Sequence, residues 1–110
     1  MKEYDVVVSP SANEDLIELV KYITDELQNR TAALHHVEMY KNALTSLRTF
    51  PYRNAVSTEP RLSATQSRIE RMGNYNIVYQ IDENIGEVHV VAIDYSMEDL
   101  SKDKSERRQK

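Results

Sequence analysis

Arg48, Arg53, Arg61, Arg68 and Arg71 fall within residues 48–71, where only Glu59 and Glu70 oppose them. A guanidinium is a planar, permanently charged fork that matches phosphate and carboxylate. This stretch is therefore the part of the chain best equipped to meet an anion. A second basic island closes the sequence, with five basic and two acidic residues over 101–110. The remainder is acidic: residues 72–100 carry six acids and no Lys or Arg, and the whole chain stands at −4. That balance runs against a dedicated nucleic-acid binder, because phosphate neutralisation draws on Lys and Arg. A solvated surface plus a basic tail accounts for the same pattern.

Other chemistry is easier to exclude. Cysteine is absent, which removes disulfides, thiolate metal sites and a cysteine nucleophile. His35 and His36 are neighbours on a predicted helix, so their side chains point about 100° apart. No metal and no cofactor is expected. His89 alternates with apolar residues and reads as a strand histidine that finds a partner. The length of 110 residues suits one domain. Glu3 and Asp5 interrupt the first apolar stretch, unlike a signal peptide, and no apolar run is long enough to span a bilayer. A cytoplasmic location without a membrane partner is the expectation.

The elements that must position these residues follow from spacing. Residues 4–9 form a β-branched strand ended by Pro10. Ser11 and Glu14 have capping-box spacing. Leu16, Leu19, Val20, Ile23 and Leu27 then recur at helical intervals, which predicts a helix over about 12–28. Thr31 serves as an N-cap for a second helix over about 32–49, with Ala33, Val37, Tyr40, Leu44 and Leu47 in one stripe and Phe50-Pro51 as the stop. So short a link implies an antiparallel helical hairpin. Residues 52–66 read as a loop. Arg68–Met72 and Tyr75–Ile81 read as strands around a Gly73-Asn74 turn, with Tyr75, Ile77, Tyr79 and Ile81 on one face. Val88–Ile93 is apolar on both faces, hence a central strand. Residues 96–110 are polar, with room for a short helix. A two-residue turn sets Met72 opposite Tyr75 and Arg71 opposite Asn76, and leaves Arg68 near Tyr79. Arg71 and Asn76 then share the open face, and Glu70 on the apolar face needs a partner such as Arg68.

The order β-α-α-β-β-β gives an α+β fold: a helical hairpin on one face of a small, mainly antiparallel sheet. The other face is left open or covered by a partner. Over about residues 4–99 the chain resembles the RelE/ParE toxin superfamily. The resemblance rests on Val8-Ser9-Pro10-Ser11-Ala12-Asn13-Glu14-Asp15-Leu16, on Val20-Lys21-Tyr22-Ile23, on Leu47-Arg48-Thr49-Phe50-Pro51, and most of all on Arg68 through Asp82. It places a toxin domain at 1–100 and a charged tail at 101–110. It is closer to the ParE and plasmid-stabilisation branch, on the long hairpin with Asp15-Leu16 and Tyr22-Ile23.

The resemblance implies the toxin of a type II toxin–antitoxin pair, inhibited by a cognate antitoxin. RelE-like members cleave mRNA on the ribosome; ParE-like members inhibit DNA gyrase. Cleavage through the 2′-OH needs a group acting on that hydroxyl, cations for the phosphorane-like charge, and help for the leaving oxygen. Arg68 matches a recurring basic position and Tyr95 a recurring tyrosine, so these two are the candidate catalytic residues. Arg61, Arg71 and Asn76 are the candidate target contacts. Glu70 stands where RelE has a lysine, and Asn76 where an arginine usually follows the tyrosine. Tyr95-Ser96-Met97-Glu98-Asp99 replaces a segment that usually carries arginines. A gyrase-binding toxin, an mRNA endonuclease and a decayed, non-toxic binding module all follow from the family.

Overall fold

A computed structural model describes residues 2–95 of the chain. The order is β1 (Asp5–Val8), α1 (Pro10–Lys21), a π-helical turn at Tyr22–Glu26, α2 (Arg30–Thr49), a 3₁₀ turn at Pro51–Arg53, α3 (Pro60–Ala64), β2 (Arg68–Met72), β3 (Tyr75–Asp82) and β4 (Glu87–Tyr95). One four-stranded sheet runs β1-β4-β3-β2. β1 lies parallel to β4, and the other pairs are antiparallel. β4 is thus central, as its two apolar faces required.

The helices begin earlier than the capping motifs suggested. Ser9 caps α1, its Oγ accepting from Ala12 N at 3.0 Å, and Pro10 occupies the first helical turn. Proline suits that position because its missing N–H would be unpaired there anyway. The Ser11–Glu14 box therefore lies inside the helix. α2 likewise starts at Asn29, whose Oδ1 accepts from Ala32 N, rather than at Thr31. Between them α1 loosens into the π turn: Leu27 N–H donates to Tyr22 C=O, and Gln28 takes a left-handed φ of 50°. Leu27, expected on the buried stripe, is swung out to 56% exposure by this turn.

The core forms where the hairpin meets the sheet. Leu19 and Ile23 from the first helical segment, Tyr40 and Leu47 from α2, and Ile77, Tyr79, Val88, Val90 and Ile93 from the strands are all buried. Each such side chain contributes roughly 1.5–3 kcal/mol by leaving water. The β2–β3 register is as expected, with Met72 opposite Tyr75, Arg71 opposite Asn76 and Arg68 opposite Tyr79. The turn between them has positive φ only at its first central residue, Gly73 at 63°, the pattern that admits glycine in type II′ hairpins. A bulge falls instead on β4, where Tyr79 faces Val90 and Val78 faces Ala92.

The second sheet face is not open along its middle. Val78 sits between Ile69 and Ala92 across the strands and is buried, and so is Asn76. The expected sharing of an exposed face by Arg71 and Asn76 is therefore half met: Arg71 is exposed and Asn76 is not. The 52–66 stretch is also more ordered than a loop. Glu59 caps α3 by accepting from Leu62 N, again with proline at the first position. The expected tail at 101–110 and the short helix after 96 lie outside the described residues.

Candidate functional site

The arginine island does not gather into one site. Arg68 turns toward the segment after α2: its Nη1 donates to Asn54 C=O at 2.5 Å, and its guanidinium carbon stands 4.9 Å from the Tyr52 ring centroid. Arg53 reaches Glu70 through Nε and Nη2, at 3.0 and 2.9 Å. This bidentate pair answers the need of Glu70 for a partner, but with Arg53 and not Arg68. Asn54 Nδ2 donates to the same carboxylate at 2.7 Å and to Tyr79 Oη at 3.1 Å, while Tyr79 Oη donates to Pro51 C=O at 2.6 Å. Burial raises the Tyr79 hydroxyl above its ordinary pKa. These contacts fasten residues 51–54 onto the β2–β3 ladder, so Arg68 is part of the fastening.

Glu83 anchors the same segment from the β3–β4 turn. It accepts from Lys2, from Tyr52 Oη at 2.7 Å and from Tyr4 Oη at 2.9 Å. These donors, Lys2 foremost, hold its carboxyl down at about 2. Tyr4 and Tyr52 meet edge to face at 6.3 Å.

Tyr95 lies at the far end of the sheet. It pairs with Tyr75 on β3, whereas Arg68 pairs with Tyr79. Four residues along a strand and two strands across correspond to about 13 Å by about 10 Å. The two candidate catalytic residues are thus well separated at the backbone. Arg71 and Asn76 share a row with Asp94, and Arg71 Nη2 donates to Gly73 C=O at 3.3 Å. Arg71 also lines a groove of about 440 Å³ between α2 and β2, with Met39, Asn42 and Ser46 opposite. Arg61, on α3, is highly exposed and pairs at 3.2 Å with Glu59.

Sequence reasoning did not single out a second groove, of about 290 Å³, where α1 and the π turn face the ends of β3 and β4. Asp15, Glu18, Leu19, Tyr22, Tyr75, Ile93 and Asp94 line it. Its cause is the shortness of β1, whose pairing with β4 stops at Val90. Beyond that point Ser9 Oγ donates to Val91 C=O and Asp15 Oδ2 accepts from Ile93 N–H at 2.9 Å, replacing strand partners with side chains. Although Asp94 keeps solvent contact, partial burial and then Asp15 push its carboxyl above the ordinary range, with Arg61 acting in the opposite sense. The available signals were the acidic spacing of Asp15 and Glu18, which also fits a solvated helix face, and the ParE-like segments that hold Asp15 and Tyr22.

His36 Nδ1–H donates to Ala32 C=O, 2.9 Å away, and its ring meets the Tyr75 ring edge to face. His89 Nε2 lies 2.9 Å from Glu87 Oε1. Among the described residues, no cluster of His and carboxylates could hold a metal, and no helix is long and apolar enough to cross a membrane.

Comparison with known proteins agrees with the architecture. Residues 6–100 match the family described as the ParE toxin of the type II toxin–antitoxin system parDE. A solved chain of the chromosomal ParDE system from P. aeruginosa is similar at a TM-score of 0.67 and 15% identity, over 84% of this chain and 96% of that one. A chain of the RelBE2 toxin–antitoxin complex from Mycobacterium tuberculosis gives a TM-score of 0.59 at 23% identity, covering 87% and 94%. At these identities the structural likeness speaks for the fold. No curated protein sequence matches the chain. The family match spans nearly all of the sequence, and the chain belongs to the ParE toxin family of type II toxin–antitoxin systems.

Proposed function

We propose that the chain arrests growth by binding a protein target, DNA gyrase being the one its ParE-like sequence implies, and that a cognate antitoxin neutralises it by masking its surface. The observation that carries this reading is the dispersal of the cations. Phosphoryl transfer to a 2′-OH needs cationic donors converging to within about 3 Å of one developing oxyanion. Here Arg68 and Arg53 are committed to the 51–54 segment, and the backbone of Tyr95 is a sheet's length away from Arg68. Binding a protein surface asks for no such convergence. Arg61 and Arg71, both exposed, are the side chains assigned to target contact, whereas Asn76, expected beside them, is buried.

Induction of the chain in bacteria, with mRNA integrity and plasmid supercoiling followed in parallel, tests this. Growth arrest with intact mRNA and altered supercoiling is expected. Rapid loss of mRNA at arrest would overturn the reading in favour of an endonuclease. Unimpaired growth would leave only a binding module.

A further inference from the structure

We propose that the chain's own basic C-terminal segment, residues 101–110, docks along the acidic flank of the first helix and its π turn, a surface that begins at the groove beside β4. Three observations combine. The flank is acidic and continuous: Asp15 and Glu18 line the β4 groove, and Glu18, Asp25 and Glu26 line the adjoining depression around Tyr22, with Lys21 as the opposing charge in that lining and Arg61 acting on Asp94 at the rim. The chain leaves the sheet at that place. Asp94 is on the groove's rim, and β4 ends at Tyr95, one residue later. Beyond Glu98 and Asp99, residues 101–110 carry the complementary charge, with Lys102, Lys104, Arg107, Arg108 and Lys110 against Asp103 and Glu106.

Reach is sufficient. From Tyr95 to Lys102 is seven residues, up to about 24 Å of extended chain. Asp15 to Glu26 spans about 17 Å of helix. The apolar floor of the groove, Leu19, Tyr22 and Ile93, gives the preceding Met97 and Leu100 a surface to cover. Tethering supplies the remaining requirement. A tether of a few residues raises the effective concentration of its ligand to the order of millimolar, which favours a contact that would be weak between separate molecules. Charge on both sides makes it salt-sensitive, since screening shortens from about 10 Å at 0.1 M to about 3 Å at 1 M. The inference does not depend on which target the toxin binds.

The absence of cysteine makes a clean test available. Ser105→Cys carries a spin label, and amide intensities are recorded in the full-length chain made by cell-free synthesis. At low salt, residues 15–26 are expected to lose roughly half their intensity relative to Asn42 and Thr45 on α2, and to regain it in about 1 M salt. The variant K102E/R107E/R108E should abolish the loss, and Asp25→Lys with Glu26→Lys should reduce it. Uniform intensities, or a loss indifferent to salt and to these charges, would overturn the proposal. So would a loss that persists when labelled unenriched chain is mixed with unlabelled enriched chain, because the docking segment would then come from a second copy.

Discussion

Arg68 is where the structural and catalytic readings part most sharply, and Arg68→Ala separates them. The guanidinium makes one charge-assisted hydrogen bond, to Asn54 C=O, and lies over the Tyr52 ring. A hydrogen bond involving a charged group contributes about 1.5–3 kcal/mol, and a partly exposed cation–π contact about 0.5–1 kcal/mol. Arg68 is only half-buried, so water recovers part of the lost bond and a net cost of about 2 kcal/mol is reasonable. For a domain of this size that lowers Tm by about 10 °C. Even from a starting stability of about 5 kcal/mol, the low end for natural domains, about 3 kcal/mol would remain and over 99% of molecules would stay folded. Growth arrest should therefore survive the substitution while the melting curve shifts. The assay pairs thermal denaturation of the purified chain with growth after induction, at matched soluble protein levels. Arrest lost with Tm unchanged would refute the argument, because it would mean the guanidinium acts on substrate. Arg68→Lys adds a control, since it keeps the charge but not the planar stacking on Tyr52.

The other predictions concern the same fastening and the hairpin that carries Arg71. Glu70→Ala leaves the donors of Arg53 and Asn54 without their carboxylate in a largely buried setting, with side-chain exposures of 24% and 19% for the ion pair. A loss of about 2–3 kcal/mol is expected, and a double-mutant cycle with Arg53→Ala by denaturant unfolding should show coupling above about 1 kcal/mol. Glu83 has a folded value of about 2, below its ordinary 4.5. Its stabilising effect is therefore complete above pH 4.5 and lost as pH falls toward 2. Glu83→Gln should lower Tm at pH 7 and flatten the Tm profile between those limits; an unchanged profile would contradict the assignment. Gly73→Ala forces a left-handed φ of 63° and brings a Cβ to 3.2 Å from Met39 Cε. It should cost about 1–2 kcal/mol, more than Gly86→Ala, whose added Cβ meets open space at a similar φ.

Strand identities, the helical hairpin and the β2–β3 register were legible because they rest on period, which one buried face makes unambiguous. Tyr75, Ile77, Tyr79 and Ile81 can face one core only if Asn76, Val78 and Gln80 face away. Helix starts were less legible, and for one reason in two places. Pro10 was read as the end of a strand and Pro60 lies in a stretch read as a loop, yet each sits in the first turn of a helix capped by the residue before it, Ser9 or Glu59. Proline gives the same sequence signal for an ending and a beginning. The burial of Val78, which stands between Ile69 and Ala92 across the strands, was hidden because its alternation with Ile77 and Tyr79 places it on the face away from the helical hairpin.

Site residues were legible as types and not as a constellation, and β-sheet geometry supplies the reason. Arg68 and Arg71 are three residues apart on one strand, so they point to opposite faces. Arg68 joins the core-side row with Glu70 and Met72, and Arg71 joins the row of Asn76 and Asp94. A nuclease built on these strands would need further cations in the same row as Arg68. The cross-strand positions of that row here are Tyr79 and Val90, which are buried and cannot serve. The nearby cation, Arg53, is paired with Glu70, so Arg68 is electrostatically available to the carbonyl of Asn54 and the face of Tyr52, and those are the groups it meets. Its presence thus needs no catalytic explanation. Restoring a cation in the row, as in Glu70→Lys, would disrupt the Arg53 pair before it assembled a phosphate site. The expected result is a destabilised chain with no gain of RNA cleavage, and cleavage gained by that one change would show that the scaffold holds the nuclease geometry after all.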